Sequence, residues 1–136
     1  VSFETERDVI RQRLASSWGS TTAIAWDGFN LGTYAVQEGV PFIRPRIEDG
    51  ESEFVAVASP TRRFRHYATL LVEVYRPTGE GDEAGNQNCD ALIAAFAGYS
   101  SGGVSFMRRG TPMGPSPDGK FARWTVLLPY YREESA

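Results

Sequence analysis

His66 and Cys89 are the side chains of this sequence best suited to act as base and nucleophile. A reactive thiol needs an exposed, electropositive setting. His66 instead falls on the inward side of an alternating run, and Cys89 on the apolar face of a helical one. The pattern therefore predicts a packed pair with no reactive role. A metal draws on three or four spaced ligands, which one His and one Cys cannot supply, so no metal is expected. Gly79-x-Gly81-x-x-x-Gly85 stands where a dinucleotide-binding loop would stand, between a strand and a helix. Its spacing is off by one, and Glu80, Asp82 and Glu83 place negative charge where a phosphate needs positive. Acids there suit an ordinary helix N-terminus, so no cofactor is expected. Asp27, Glu48, Asp49, Glu51 and Glu53 lie mainly in turns, and 48–53 reads as a solvated loop. With no convergent set of polar groups, no catalytic residue and no enzymatic activity are expected.

Two arginine clusters remain, Arg62-Arg63-x-Arg65 and Arg108-Arg109. They fit a solvated strand end, where charge protects an edge, or a local basic surface that meets DNA or an acidic partner. Thirteen of the fourteen basic residues are Arg, yet the net charge is −3. An acidic chain is not a general nucleic-acid binder held by phosphate contacts.

The elements that position these residues follow from periodicity. Phe3, Ile10, Leu14 and Trp18 form one helical stripe, with Ser2 as cap and Gly19 as stop. Thr22 to Trp26 reads as a short strand ending at the Asp27-Gly28 turn. Residues 27–40 are Gly-rich and lack a period, but Phe29, Leu31, Tyr34 and Val36 make them too apolar for a spacer. Phe42 to Glu48 reads as a strand that Pro45 confines to an edge or bulge, and Phe54 to Ala58 as another short run. In Arg62 to Arg76, Phe64, His66, Ala68, Leu70, Val72 and Val74 alternate with Arg63, Arg65, Tyr67, Thr69, Leu71, Glu73 and Tyr75. Fifteen residues at about 3.3 Å each span roughly 50 Å, so this strand must bend, break or project. A second helix from about Asp82 carries Gly85, Cys89, Leu92, Ile93, Phe96 and Tyr99 on one face. Val104 to Met107 is a short strand, residues 108–119 a Pro/Gly-rich connection, and Phe121 to Tyr131 a last alternating strand.

A length of 136 residues suits one domain, 1–136. Its expected fold is α+β, a two-layer sandwich of a mainly antiparallel sheet with two helices on one face. No apolar run reaches the roughly 18 residues that cross a bilayer. The acidic start, Val1-Ser2-Phe3-Glu4, is unlike a secretory signal and points to the cytosol. The lone cysteine excludes an internal disulfide. With helices on one face, the other carries Tyr67, Leu71, Tyr75, Phe121, Leu127 and Tyr131. Large aromatic patches flanked by Arg seldom face water. A neighbouring subunit covers them, or the loop at 27–40 does.

The run Arg62-Arg63-x-Arg65, Leu70-Leu71-Val72-x-Val74-Tyr75-x-Pro77-x-Gly79-x-Gly81, then Ala84, Cys89-Asp90-Ala91-Leu92-Ile93 and Phe96, resembles the tail terminator-like proteins of long-tailed bacteriophages. Gly103-Val104-Ser105-Phe106, Gly114, Asp118-Gly119 and Trp124-x-Val126-x-Leu128-Pro129-Tyr130 extend the likeness. So do the first helix, Ile24-Ala25-Trp26-Asp27 and Pro41-Phe42-Ile43-Arg44. The loop through Gln37-Glu38-Gly39 is longer here than in that family. The resemblance implies a hexameric ring that caps the tail tube, stops its polymerisation and offers the surface on which the head docks. The same module occurs in phage-like gene transfer agents. Implied partners are further copies of the chain, the tail tube protein, a head–tail connector or adaptor, and DNA passing through the lumen without sequence-specific binding. The implied location is the head-proximal end of the virion tail, with host cytoplasm during assembly and no membrane. Under this expectation Tyr67, Leu71, Tyr75, Leu127 and Tyr131 pack between subunits or onto the tube. Arg62, Arg63, Arg65, Arg108 and Arg109 line the lumen or meet an acidic partner. The competing expectations are another connector or completion protein, or a monomeric binding module.

Overall fold

Helix α1 (Phe3–Trp18) buries Glu6, Ile10, Leu14 and Trp18, which recur every four residues and so share one side. The computed structural model describes the backbone of residues 3–57 and 62–135 and the side chains of 3–50 and 65–133. Phe3, expected in the buried stripe, is 44% exposed. Helix α2 (Glu83–Phe96) buries Gly85, Asn88, Cys89, Leu92 and Phe96. Between the helices lie β1 (Ala23–Ile24), a 3-10 turn (Trp26–Phe29), β2 (Phe42–Val57) and β3 (Arg62–Pro77). After α2 come β4 (Ser100–Ser101), β5 (Val104–Phe106), β6 (Thr111–Asp118) and β7 (Phe121–Ser135). The strand order is β1-β2-β3-β7-β5-β4, with β6 also paired to β7. Among the described residues only the β1–β2 pairing is parallel. The result is the expected α+β sandwich, with both helices on one face.

The core lies between the layers. Ile10, Leu14 and Trp18 from α1 and Cys89, Leu92 and Phe96 from α2 meet Leu70, Val72, Val74, Trp124, Val126 and Leu128 from the sheet. Burying such a side chain contributes about 1.5–3 kcal/mol. Gly85 is required where α2 touches the sheet, because a Cβ there would enter the Trp124 ring. The indole in turn donates to Asn86 Oδ1 at 3.1 Å. That contact gives the glycine of the rejected nucleotide-loop motif a packing role instead.

Four sequence expectations are corrected. Phe42 to Glu48 and the run from Phe54 belong to one strand, β2, whose register against β3 shifts between Asp49 and Ser52 and between Phe54 and Ala56. The acidic run at 48–53 is thus absorbed as an irregularity of a strand rather than as a loop. The Thr22–Trp26 strand shortens to two residues, because Trp26 already begins the 3-10 turn. Beyond α2, the short β4 pairs with β5. The Pro/Gly-rich connection contains β6, paired along β7 from Thr111 to Asp118 and exposed throughout. Pro112, Pro115 and Pro117 argue against a strand in sequence, but β6 is an edge, where an absent N–H costs no ladder bond on the open side. Pro45 behaves as expected: β1 reaches only Phe42 and Ile43, leaving Pro45 beyond it on the outer side of β2.

β3 runs unbroken through its expected length, paired with β2 on one side and β7 on the other. Of the three outcomes open to so long a strand, a break is excluded by its continuous pairing with β7 from Arg63 to Pro77.

Candidate interaction surface

The sheet face away from the helices is a mosaic set by strand registers. At one end Phe42, Tyr75 and Phe121 form an aromatic cluster. Phe42 and Tyr75 stack with centroids 4.4 Å apart, and Phe121 meets Phe42 edge-on at 5.6 Å. Arg123 lies opposite Tyr75; next come Arg44, Glu73 and Thr125, then Arg46, Leu71 and Leu127, then Glu48 and Thr69. Tyr67 and Tyr131 follow as direct partners with rings 6.0 Å apart, and Arg65 beside Glu133 completes the face.

This distribution divides the five expected interface residues. Leu71 and Tyr75 are each 6% exposed and are therefore buried within their own chain. For these two the expectation of a free contact surface is corrected. Tyr34 of the 27–40 loop lies on Phe42 at 4.9 Å, so the loop does cover the aromatic end. Tyr67, Leu127 and Tyr131 remain half-buried, beyond the loop's reach.

The arginines divide in the same way. Arg65 stacks over the Tyr131 ring at 4.2 Å and pairs with Glu133 at 2.8 Å. The Glu133 carboxylate, and then the Tyr67 hydroxyl, hold its guanidinium above the usual range. Its Nε is nevertheless enclosed without a hydrogen-bond partner among the described residues. Arg108 and Arg109 are exposed on the segment after β5, where Met107 N donates to Pro129 O. That places them several residues along β7 from Glu133, so they do not join Arg65 in one basic patch. The side chains of Arg62 and Arg63 lie outside the described residues. Ion pairs link Arg44 to Asp27 at 3.0 Å, Arg46 to Glu48 at 3.3 Å, and Arg123 to Glu73 and Asp118 at 3.4 Å. The middle of the face therefore alternates in sign rather than presenting positive charge.

One polar cluster escapes sequence reasoning. The Glu6 carboxylate is buried, accepts a hydrogen bond from the Tyr130 hydroxyl and pairs with Arg132 Nε at 2.6 Å. Burial, then Glu6, push the Tyr130 hydroxyl up from its ordinary range. The available signal was the four-residue spacing of Glu6 with Ile10, Leu14 and Trp18, which its charge concealed. Glu6 and Arg132 line an open cleft of about 350 Å³ with Phe3, Asp49, Gly50, His66, Tyr67 and Ala68. His66 thus stands at the end of the helix layer. Cys89 lies in the core between Gly85, which rests on Trp124, and Ile93, near Leu128. The two are not brought together. Burial, with a smaller contribution from Asp90, pushes the Cys89 thiol up to about 11. Among the described residues no three His, Cys, Asp or Glu side chains group to hold a metal ion. No described helix is long and apolar enough to cross a membrane.

No family model matches the chain, and no curated protein does. Its architecture is similar to that of a solved structure of nearly the same length. That structure superposes with a TM-score of 0.67, covering 97% of this chain and 96% of the other at 20% identity. A likeness at this identity shows a shared α+β fold and extends no further.

Proposed function

We propose that this chain is the subunit of a structural, non-catalytic ring that caps a phage-like tail tube, ends its growth and offers a docking surface to the head. The observation that carries the reading is the uncovered half of the sheet face, where Tyr67, Leu127 and Tyr131 lie half-exposed beside Arg65. Aromatic residues and Arg are the types enriched at protein interfaces. Interleaved Arg and Glu along the same face suit a second copy carrying the same mosaic. The sequence likeness to tail terminators, centred on 62–81 and 89–96, gives the reading its biological setting.

Edge-to-edge sheet growth through the β4 and β6 side is a poor route to such a ring. β6 carries Pro112, Pro115 and Pro117, and β4 has only two residues, so one side of the sheet offers few donors. Contacts through faces remain, and a heterologous face contact that closes on itself gives a ring. In this arrangement Arg108 and Arg109, exposed and away from the mosaic, face the lumen or an acidic neighbour. Arg65 belongs to the subunit contact.

The test is the native mass of the purified protein with and without assembled tail tubes of its own system, with negative-stain images of tube ends. A ring at one end of each tube, with growth halted, is the expected result. A protein that stays monomeric and leaves the tubes growing overturns the reading.

A further inference from the structure

The loop that covers the aromatic end of the sheet face is held by few contacts. From Leu31 to Val40 only Tyr34 is half-buried, and every other residue is exposed. Its inward anchors are the Tyr34 ring on Phe42 and an ion pair between Glu38 and Lys120 at 2.9 Å, with side chains 72% and 71% exposed. An aromatic pair contributes about 0.5–1.5 kcal/mol beyond its area, and an exposed ion pair about 0–1 kcal/mol. Gly32 and Gly39 flank the anchors with φ of +83° and +79° and no neighbour within 4 Å of a notional Cβ, so both ends can swing. Leu31 and Val36 are each 51% exposed and Val40 36%, so the loop turns three large apolar side chains to water. Such a strap is weakly closed on its own chain and has apolar surface left to cover.

We propose that this strap is exchanged between copies in the assembled state: Tyr34 and Glu38 of one copy seat on Phe42 and Lys120 of the next. The inference rests on the ring reading, and it names the partner segment and the socket. The second copy is the occupant because the strap and the socket already fit each other within one chain. Exchange breaks and remakes the same two anchors, which makes it a low-cost route to association. Ten residues span up to about 35 Å when extended, enough to reach an adjoining subunit. The closed strap is then the resting form of the free chain, and it lowers apparent subunit affinity in proportion to the small fraction of chains that are open.

Mixing two single variants, Glu38→Cys and Lys120→Cys, tests the exchange. Both positions are exposed, and the native Cys89 is buried and inert. Rings assembled from the mixture, verified by native mass, are treated with a short bifunctional thiol reagent, denatured and sized. Covalent dimers from the mixture, absent when either variant is treated alone, are the expected result. Rings of full native mass that give no dimers, while a Glu38→Cys/Lys120→Cys double variant crosslinks only within its own chain, overturn the exchange and leave the ring intact. Failure of the protein to form any ring, alone or on tail tubes, overturns both.

Discussion

Glu6 on the first turn of α1 and Arg132 on β7 are joined at 2.6 Å with side chains only 2% and 14% exposed, and this pair fixes the end of the helix layer on the sheet. The second Glu6 oxygen accepts from the Tyr130 hydroxyl, so the carboxylate is satisfied on both sides. A buried charge that loses its partner is far more costly than the pair itself is stabilising.

Removing one member therefore has a large effect. Arg132→Met or Glu6→Leu alone is expected to cost about 3–5 kcal/mol in urea denaturation. The Glu6→Leu/Arg132→Met double variant is expected to recover a good part of that loss, because no charge is left orphaned. Equal or additive losses in the double variant would count against the pair.

Alkaline pH is expected to weaken the fold through two groups. Cys89 titrates near 11 in the folded chain because burial raises it, against 9.0 when unperturbed, and burial and Glu6 raise Tyr130 as well. Each keeps its proton when folded and loses it sooner when unfolded, so the unfolded state binds fewer protons and stability falls as pH rises. The Cys89 contribution is complete below about pH 9 and is lost toward pH 11. Urea midpoints measured from pH 8 to 11 should decline less steeply in Cys89→Ala than in the parent protein.

Gly85→Ala places a methyl group in the Trp124 ring and is expected to destabilise by about 1–3 kcal/mol through overpacking. The reporter is at the site: the Trp124 indole, bonded to Asn86, should shift its fluorescence. An unchanged denaturation midpoint would show that α2 can move away at no cost.

On the sheet face, burial separates two kinds of variant. Tyr75→Ala empties a site that is 6% exposed and is expected to cost about 3–5 kcal/mol in stability. Tyr67→Ala and Tyr131→Ala, at half-buried positions, are expected to leave folding nearly unchanged and to weaken ring formation on tail tubes at least tenfold. Sedimentation with and without tubes checks both halves. Normal capping by Tyr67→Ala/Tyr131→Ala would remove this half of the face from the assembly.

The layers and the long strands were legible in the sequence because alternation and four-residue spacing are strong, local signals. Leu70, Val72 and Val74 against Leu71, Glu73 and Tyr75 assign two faces without any tertiary knowledge. β6 was not legible, because three prolines forbid a central strand and only its position at an edge permits it. The single strand β2 was hidden by the acids at 48–53, whose turn-like composition is overridden by pairing with β3. At the surface, sequence placed Tyr67, Leu127, Tyr131 and Tyr75 on one face correctly. It could not show that Tyr34 covers one end and leaves the other, since that depends on where a loop without periodicity comes to rest. Glu6 was missed for the opposite reason: its spacing was right, and its charge argued against burial.

β7 has a consequence for biosynthesis. It leaves the ribosome after β3, β5 and β6, yet it pairs with all three and carries Trp124, Val126, Leu128 and Tyr130 into the core. Until it emerges, the β2–β3 hairpin has one long edge without a partner, and α1 and α2 have only part of the surface they rest on. Closure of the nascent sheet must wait for β7, and a ribosome stalled before Phe121 holds an open sheet edge. Rapid completion of synthesis, or a chaperone on that edge, is then part of what keeps this chain from joining others in the wrong way.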